Sequence, residues 1–211
     1  MKKKITKGLD GVSRCEWASQ TELYSKYHDE EWGRPTRDDR WIFEKICLEG
    51  FQAGLSWLTI LNKRDNFRMA FANFEIDKVA NFDNQKVDML VKNSAIIRHR
   101  GKIESTINNA KRALKLKTEF GSLAAFFWQY QKQSNIRSNN QNQANSIIPS
   151  KTSESINLSK ELKRRGWGFV GPTTVYAFMQ AAGIVNDHAI GCQAGIDCKK
   201  LRAKFDVPKP K

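Results

Sequence analysis

Apolar residues recur along most of the chain at the spacing of one face of an α-helix. Ile103, Ile107, Ala110 and Leu114 follow this spacing, while lysine and arginine fall on the opposite face. No segment sustains the period-2 alternation of a half-buried strand, and we assign no hairpin turn. The pattern therefore predicts an all-α fold in which the helices form a bundle.

Polar residues at the ends of the periodic segments predict where individual helices begin and end. Asp38 and Asp39 can cap the apolar segment that follows them. Ser153, with Glu154 in the first turn, can begin a helix that ends at Arg164-Arg165-Gly166.

One stretch, residues 129–150, departs from the helical pattern. It is rich in Gln, Asn and Ser and lacks periodic apolar residues, which is typical of a flexible loop or hinge. We predict that it links a helical block to a C-terminal block inside one domain, residues 14–198. A basic, flexible arm (1–13) precedes this domain and a basic tail (199–211) follows it.

The charge balance indicates a polyanionic partner. Lys and Arg number 36 and Asp and Glu 22, giving a net charge of +14 over 211 residues. Such an excess favours binding to nucleic acid or to an anionic membrane surface. No run approaches the roughly 18 apolar residues of a membrane span, and the Lys-rich start lacks the features of a signal peptide. Four cysteines without a disulfide-framework spacing favour a reduced, cytoplasmic protein.

Two cysteines and two histidines form a candidate metal site. Cys15 and His28 lie thirteen positions apart, and His188 and Cys192 lie four apart, which makes them neighbours on a helical turn. These ligand types suit tetrahedral zinc, and four protein ligands leave no open position, so such a site would be structural. The spacing fits no standard zinc finger. Two buried free cysteines and two ordinary histidines explain it equally well, and Cys198 is an alternative ligand.

Glu49 is a candidate binding residue because it is the only charge between Ile46 and Asn62. A carboxylate in such an apolar segment is desolvated unless it is paired. That cost often serves a substrate that donates hydrogen bonds or carries positive charge. The alternative is a helix-surface glutamate that pairs with Lys45.

The residues around Glu49 could complete a pocket for a flat ring. Leu55, after Gly54, offers an apolar wedge, and Trp57 offers a stacking face. Further aromatic residues cluster ahead of this segment: Trp17, Tyr24, Tyr27, Trp32 and Trp41. Most aromatic clusters belong to a core, but a base-binding pocket also needs aromatic faces beside a hydrogen-bonding group.

A glycine-rich segment, KRRGWGFVGPTT at residues 163–174, lies between a basic helix end and an apolar helix. Backbone amides at the start of the second helix can hold a phosphate, as in a helix-hairpin-helix DNA-binding element. An ordinary helical corner with glycines for geometry is the alternative. The candidate DNA contacts are Arg164, Arg165, Gly166, Gly168, Gly171 and Thr173.

Four long segments together resemble the 3-methyladenine DNA glycosylase I family of bacterial repair enzymes. They are RCEWASQTELYSKYHDEEWGRP (14–35), FEKICLEGFQAGLSWLTIL (43–61), IIRHRGKI (96–103) and LKRRGWGFVGPTTVYAFMQAAGIVNDHAIGC (162–192). The resemblance implies an all-α fold of the helix-hairpin-helix glycosylase superfamily with a structural zinc. It also implies a monomer that flips 3-methyladenine out of alkylated double-stranded DNA and hydrolyses its bond to the sugar, which leaves an abasic site.

The resemblance assigns roles to individual residues. The implied zinc ligands are Cys15, His28, His188 and Cys192. The implied base-recognition carboxylate is Glu49. The implied pocket aromatics are Trp17, Tyr24, Tyr27 and Trp57. The residues implied to fill the gap left by the flipped base are Gly54 and Leu55.

The sequence lacks the sugar-side aspartate that many helix-hairpin-helix glycosylases carry. The matching position is Asn186, two residues before His188, and Asp187 is better placed to orient that histidine. The absence is chemically reasonable, because methylation at N3 makes adenine cationic and a good leaving group. We assign no lysine of the pocket motif as a nucleophile and therefore expect hydrolysis without a lyase step.

Two other functions remain open from the sequence. A catalytically idle, zinc-containing DNA-binding protein would explain the charge, the hairpin and the metal ligands, but not a lone carboxylate among aromatic residues. A broader alkyl-base glycosylase would also remove 7-methylguanine.

Overall fold

The computed structural model describes residues 4–131 and 148–211. The first three residues of the predicted arm and residues 132–147 of the predicted linker lie outside the described residues. The described residues form eleven α-helices. They are α1 (Glu22–Glu30), α2 (Asp39–Gln52), α3 (Trp57–Asn62), α4 (Arg64–Ala70), α5 (Ile76–Ala80), α6 (Asn84–Lys92), α7 (Arg100–Phe120), α8 (Leu123–Trp128), α9 (Ser153–Arg164), α10 (Pro172–Ala181) and α11 (Gln193–Ala203). The mostly helical architecture confirms the main part of the fold prediction.

The predicted helix ends match the structure closely. Asp38 caps α2, where its side chain accepts hydrogen bonds from the amides of Arg40 and Trp41. Helix α9 begins at Ser153 and ends at Arg164, and Thr152 caps it. Local capping chemistry is therefore sufficient to place these ends.

The all-α prediction is wrong at the N-terminus. Strands β1 (Ile5–Lys7) and β2 (Ser13–Cys15) pair antiparallel, with Ile5 opposite Cys15. The turn between them contains Asp10-Gly11, a dipeptide that favours tight hairpins. The helical interpretation overlooked this signal. The hairpin occupies part of the segment predicted as an arm and positions Cys15 at its inner end.

Helix α2 lies at the centre of the molecule. It packs against α3, α7, α8 and α10, and every residue of Ile42–Phe51 is buried. Each fully buried large apolar side chain contributes about 1.5–3 kcal/mol to folding. The same burial withdraws three charged residues of α2 from solvent: Glu44, Lys45 and Glu49.

Within 4–131 and 148–211, no helix has both the length and the apolar character that crossing a membrane requires.

Candidate active site

A cavity of about 460 Å³ opens where α1, α2, α3 and α10 meet. Its wall contains the predicted base-recognition residue and all four predicted aromatic residues: Trp17, Tyr24, Tyr27, Glu49 and Trp57. The wall also contains Trp32, a further member of the aromatic cluster, and residues that received no role from the sequence: Gln52, Ile148, Pro149, Ser150, Ala177 and Gln180. The structure therefore brings the whole predicted pocket set together.

Local sequence explains how these side chains reach the cavity. Tyr24 and Tyr27 are three residues apart on α1, so they project from one face of the helix. Trp57 is the first residue of α3, which Ser56 caps by accepting a hydrogen bond from the amide of Thr59. Glu49 projects from α2, in the last turn of that helix.

The aromatic rings form a rigid wall. The ring of Trp17 stands perpendicular to those of Tyr24 and Trp32, at centroid distances of 5.4 and 5.2 Å. Tyr27 and Trp57 pack against each other at 5.5 Å. These edge-to-face and tilted contacts hold each ring in a fixed orientation. The arrangement is suited to receiving a flat aromatic ligand.

The Glu49 carboxylate is buried in this wall and is unpaired. The residue is only 5% exposed and lines the cavity, and within the described ranges no side chain or backbone group donates a hydrogen bond to its carboxylate. Burial raises the pKa of Glu49 to about 7, although the Lys45 charge acts in the opposite direction. An unpaired buried carboxylate opposes folding by several kcal/mol. A ligand that donates hydrogen bonds would recover this energy.

Lys45 is fully buried and does not pair directly with Glu49 as the alternative interpretation proposed. Its ammonium lies 3.0 Å from the Glu31 carboxylate and donates a hydrogen bond to the Tyr27 hydroxyl at 3.2 Å. The same nitrogen lies 4.4 Å from the ring centroid of Tyr27 and 4.7 Å from that of Trp57. Burial lowers the pKa of Lys45 to about 8, against the attraction of Glu31.

Gln180 is a polar wall residue that the sequence analysis missed. Its side-chain amide donates to Asp187 at 2.8 Å, and the Tyr176 hydroxyl donates to the same carboxylate oxygen at 2.5 Å. These bonds fix the Gln180 side chain at the cavity. The available signal was the one that identified Glu49, because Gln180 is the only amide or charged residue between Val175 and Ala182.

Three of the four predicted metal ligands lie together beside the cavity. The ligand atoms of Cys15, His28 and Cys192 all lie within 4.8 Å of one another, and all three residues are buried. The Cys192 sulfur lies 3.4 Å from His28 Nε2. Hydrogen bonds from Cys15 and then His28 lower the pKa of Cys192 to about 4, which favours the thiolate. This group can hold a metal ion.

His188 lies next to these three residues but is not within the same 4.8 Å limit. Its ring centroid is 4.9 Å from that of His28. His188 Nε2 is buried and has no hydrogen-bond partner in the described part of the chain. Burial lowers the pKa of His188 to about 4, so the ring is neutral at pH 7. A neutral imidazole nitrogen without a partner is suited to a metal.

The two histidines are oriented by their neighbours in sequence. His28 Nδ1 lies 2.8 Å from Asp29 Oδ1, and His188 Nδ1 lies 2.9 Å from Asn186 Oδ1. The orienting role predicted for Asp187 thus falls to Asn186. Cys198, the alternative ligand, instead donates to the Trp32 carbonyl at 3.7 Å. Sequence reasoning missed Asp29 although it directly follows His28.

The hairpin between α9 and α10 packs closely on α7. A side chain at Gly168 would come within 2.4 Å of the Ser105 hydroxyl, so a larger residue there would require Ser105 to move. The Gly168 amide donates to Asn109 at 2.9 Å and is therefore occupied. By contrast, Gly171 faces open space, and it precedes Pro172 and the exposed Thr173 in the first turn of α10.

The two arginines at the end of α9 differ in availability. Arg164 is 68% exposed and pairs with Glu161 at 2.6 Å. Arg165 is 19% exposed and pairs with both Glu119 and Glu161, at 2.5 and 2.6 Å. Arg164 is the freer cation on this surface.

Gly54 and Leu55 form an exposed turn between α2 and α3. Gly54 has a φ of +83°, which favours glycine, and a side chain there would meet no other atom within 4 Å. Leu55 is 41% exposed although it is apolar. The turn presents an apolar side chain to solvent two residues before the cavity residue Trp57.

Comparison with known proteins assigns the chain to a family. The family model described as methyladenine glycosylase matches residues 17–195. DNA-3-methyladenine glycosylase 1 of Escherichia coli (strain K12) is 47% identical over 186 residues, which cover 86% of this chain and 96% of that protein. The DNA-3-methyladenine glycosylase of Haemophilus influenzae is 43% identical over 181 residues, covering 86% of this chain and 97% of that protein.

A solved structure agrees with these sequence relatives. The 3-methyladenine DNA glycosylase I of Staphylococcus aureus, from work on the structural basis of 3-methyladenine recognition, superposes with a TM-score of 0.78 at 35% identity. The match covers 86% of this chain and 96% of that one. The sequence match and the superposition both span most of the chain, and this protein therefore belongs to the methyladenine glycosylase family.

Proposed function

We propose that the protein is a base-excision repair enzyme that hydrolyses the bond between 3-methyladenine and its sugar in alkylated double-stranded DNA. The observation that carries this proposal is the unpaired Glu49 carboxylate in the wall of an aromatic cavity. The names of the related proteins from Escherichia coli and Haemophilus influenzae support the same activity. We further propose that residues 14–198 are the glycosylase domain and that the protein acts as a cytoplasmic monomer.

The target base must leave the duplex before it can enter the cavity. Base flipping costs a few kcal/mol because the base loses its stacking and pairing. In the proposed complex, Leu55 fills the gap that the base leaves, and its exposed position after Gly54 is suited to this role. Tyr27 and Trp57 then contact the faces or edges of the flipped base.

Glu49 acts by selecting and aligning the base. Its carboxylate accepts hydrogen bonds from the base edge, which a buried acceptor without a protein partner favours. Simple attraction to the cationic base would stabilise the bound substrate and slow the reaction. As the bond from the sugar C1′ to N9 breaks, its electron pair neutralises the base. Water adds to C1′ and releases a proton to solvent, which leaves an abasic site.

We also propose that Cys15, His28, His188 and Cys192 hold a structural zinc ion. Two thiols and two imidazoles are a donor set that zinc prefers. The unpartnered His188 Nε2 supports the fourth ligand, because Asn186 holds the other ring nitrogen. With four protein ligands the ion has no open position. The ion would hold β2, α1 and the start of α11 together, and it would take no part in the reaction.

The α9–α10 segment is the proposed DNA-backbone contact and represents the helix-hairpin-helix element. The amides at Gly171 and Thr173, at the start of α10, can bind a phosphate. Arg164 can add a charge-assisted contact, whereas Arg165 is already held by two glutamates. Gly166 and Gly168 shape the turn.

Chromatography of the bases released from methylated DNA tests the proposed function directly. Wild-type protein should release 3-methyladenine, and Glu49→Gln should release it more slowly. DNA binding without base release would support an idle binding protein instead. Release of 7-methylguanine at a similar rate would indicate a broad alkyl-base glycosylase.

A further inference from the structure

A buried positive charge lies behind the aromatic wall of the cavity. Lys45 has no solvent exposure, and its ammonium lies over the rings of Tyr27 and Trp57 at 4.4 and 4.7 Å. Both rings line the cavity, whereas Lys45 is absent from the wall that the described residues form. The ammonium therefore lies outside the space that a base would occupy, and it contacts two of the rings that line that space.

The charges around Lys45 are arranged so that its own charge is held in place. Glu31 lies 3.0 Å from Lys45 and 2.5 Å from Arg64, and Arg64 also pairs with Glu44 at 2.6 Å. This network fixes Lys45, and none of its three other members lines the cavity. Glu49 lies one helical turn further along α2 and has no such partner.

This arrangement changes what the aromatic wall attracts. A bare aromatic face attracts cations through its quadrupole. Here a cation already lies over each of the two rings and draws π-electron density toward itself. A second cation in the cavity would also be repelled through a medium of low dielectric constant. The wall should thus receive a neutral ring better than a charged one.

We propose that Lys45 is a positioning residue that acts through Tyr27 and Trp57 to make the cavity prefer the neutral, departing base over the cationic, sugar-bound base. The inference rests on the proposed function, in which breaking the C1′–N9 bond transfers an electron pair to the base and removes its positive charge. Lys45 then opposes the attraction that Glu49 exerts on the charged substrate. An interaction that improves as the bond breaks accelerates the reaction rather than only strengthening binding.

The test compares a neutral and a permanently cationic ligand of nearly the same shape. The probes are 3-methyladenine, at a pH where it is neutral, and the 3,9-dimethyladeninium cation, in which a methyl group replaces the sugar. Calorimetry should show that wild-type protein prefers the neutral base. Lys45→Met keeps the chain length but removes the charge, and it should shift the affinity ratio toward the cation by about thirtyfold, the change expected for like charges about 8 Å apart at an effective dielectric constant near 20.

Kinetics separate this role from a structural one. In single-turnover assays at saturating enzyme, Lys45→Met should excise 3-methyladenine about tenfold more slowly, without weaker binding to alkylated duplex. Lys45→Arg retains the charge and should keep both the ligand preference and the rate closer to wild type. An unchanged affinity ratio in Lys45→Met would overturn the inference, as would the same loss of rate in both variants.

A pH titration that compares wild-type protein with Lys45→Met separates Lys45 from Glu49, because only the wild-type protein should show the change that belongs to Lys45. Lys45 should lose its proton as the pH rises through about 8, so the preference for the neutral base should decline there. Of the groups facing Lys45, Glu31 and Glu49 are mainly ionised above that pH, Arg64 remains charged, and burial raises the pKa of Tyr27 well above its ordinary value. A constant preference from pH 7 to 9 would contradict the inference. If wild-type protein releases no 3-methyladenine at all, the proposed function fails instead.

Discussion

The aromatic cavity and the Cys/His cluster share a wall but use buried polar atoms in opposite ways. The ring centroids of Trp17 and His28 are 5.2 Å apart, and those of Trp32 and His188 are 4.4 Å apart. Both tryptophans also line the cavity. In the cavity, Glu49 faces a space of about 460 Å³. In the cluster, three ligand atoms lie within 4.8 Å of one another. An unpaired carboxylate beside a large cavity is suited to a substrate that binds and leaves. Several donor atoms that converge on one point are suited to a metal ion that stays bound.

The comparison predicts that the two regions fail differently when they are altered. Changes in the cluster should reduce stability and leave base selection intact. Changes in the cavity should reduce base selection and leave stability intact. The shared tryptophans make this separation a demanding test, because damage to one region could spread to the other.

The largest effect is expected at the cluster. Cys192→Ser, or removal of the metal by a chelator, should lower the free energy of unfolding by about 4 kcal/mol or more, since loss of a structural metal is among the most destabilising changes. For a protein of this size that corresponds to a fall in Tm of roughly 8–16 °C. Calorimetry together with elemental analysis for zinc measures both quantities.

Cys198→Ser is the matched control for this prediction. Cys198 is buried nearby, but its sulfur donates to the Trp32 carbonyl rather than joining the cluster. The control should retain the metal and most of its stability. Equal losses in the two variants, or wild-type protein that contains no metal, would show that the cluster is ordinary core.

The next effect is expected in the cavity. Glu49→Gln replaces a charged acceptor and should weaken binding of free 3-methyladenine by about tenfold or more, because a charged hydrogen bond is worth about 1.5–3 kcal/mol. Excision should decrease without disappearing, since the lesion is intrinsically labile. Calorimetric titration and single-turnover excision measure the two effects.

The same variant also tests the separation of the regions. Its Tm should not fall, because the native carboxylate is buried without a partner, and its affinity for undamaged duplex should be unchanged. Full affinity for the free base would refute the recognition role. Complete loss of excision would show instead that the carboxylate is essential for chemistry.

A smaller effect is expected from pH. Burial raises the pKa of Glu49 to about 7, so this residue is protonated below that pH and ionised above it. Base binding should decline as the pH falls through about 7, by at most tenfold per unit. The raised pKa also means that ionising Glu49 opposes folding as the pH rises above the ordinary value of 4.5. In Glu49→Gln, neither base binding nor stability should show this dependence on pH. If the pH profile of this variant is unaltered, the titration belongs to another group.

The smallest effect is expected at the hairpin, outside both regions. Replacing Arg164 and Arg165 together should make the plot of log binding constant against log salt concentration less steep. The decrease in slope should correspond to the loss of roughly one to two phosphate contacts. Arg164→Ala should account for most of this change, because Arg165 is engaged by Glu119 and Glu161. Binding titrations over a series of salt concentrations measure the slope. An unchanged slope in the double variant would place the hairpin away from the DNA.

The sequence predicted the members of the cavity better than the contacts behind them. Glu49 stood out as a single charge in an apolar helix, and the predicted aromatic residues lie around it. The position of Lys45 behind two rings was not predictable, because a long side chain can reach partners on several helices. Gln180 was missed because its orientation depends on Asp187, which lies beyond the end of its own helix.

The errors at the N-terminus and the cluster have different physical causes. The Asp10-Gly11 turn was a local signal that the strong helical pattern of the rest of the chain obscured. Asn186, rather than the predicted Asp187, is the partner of His188 because of the way the chain bends before α11. Spacing in sequence does not determine such a bend to within one residue.

The position of Asn186 restricts how this protein could evolve. Both ends of its amide are engaged, because the oxygen faces His188 and the nitrogen donates to the Gly195 carbonyl at 3.1 Å. Replacing it with aspartate would set a carboxylate oxygen against that carbonyl and disturb the histidine. The single substitution that would most simply supply a sugar-side acid is therefore disfavoured by the architecture. In a lineage that keeps His188 beside the cluster, selection should therefore retain an amide side chain at residue 186.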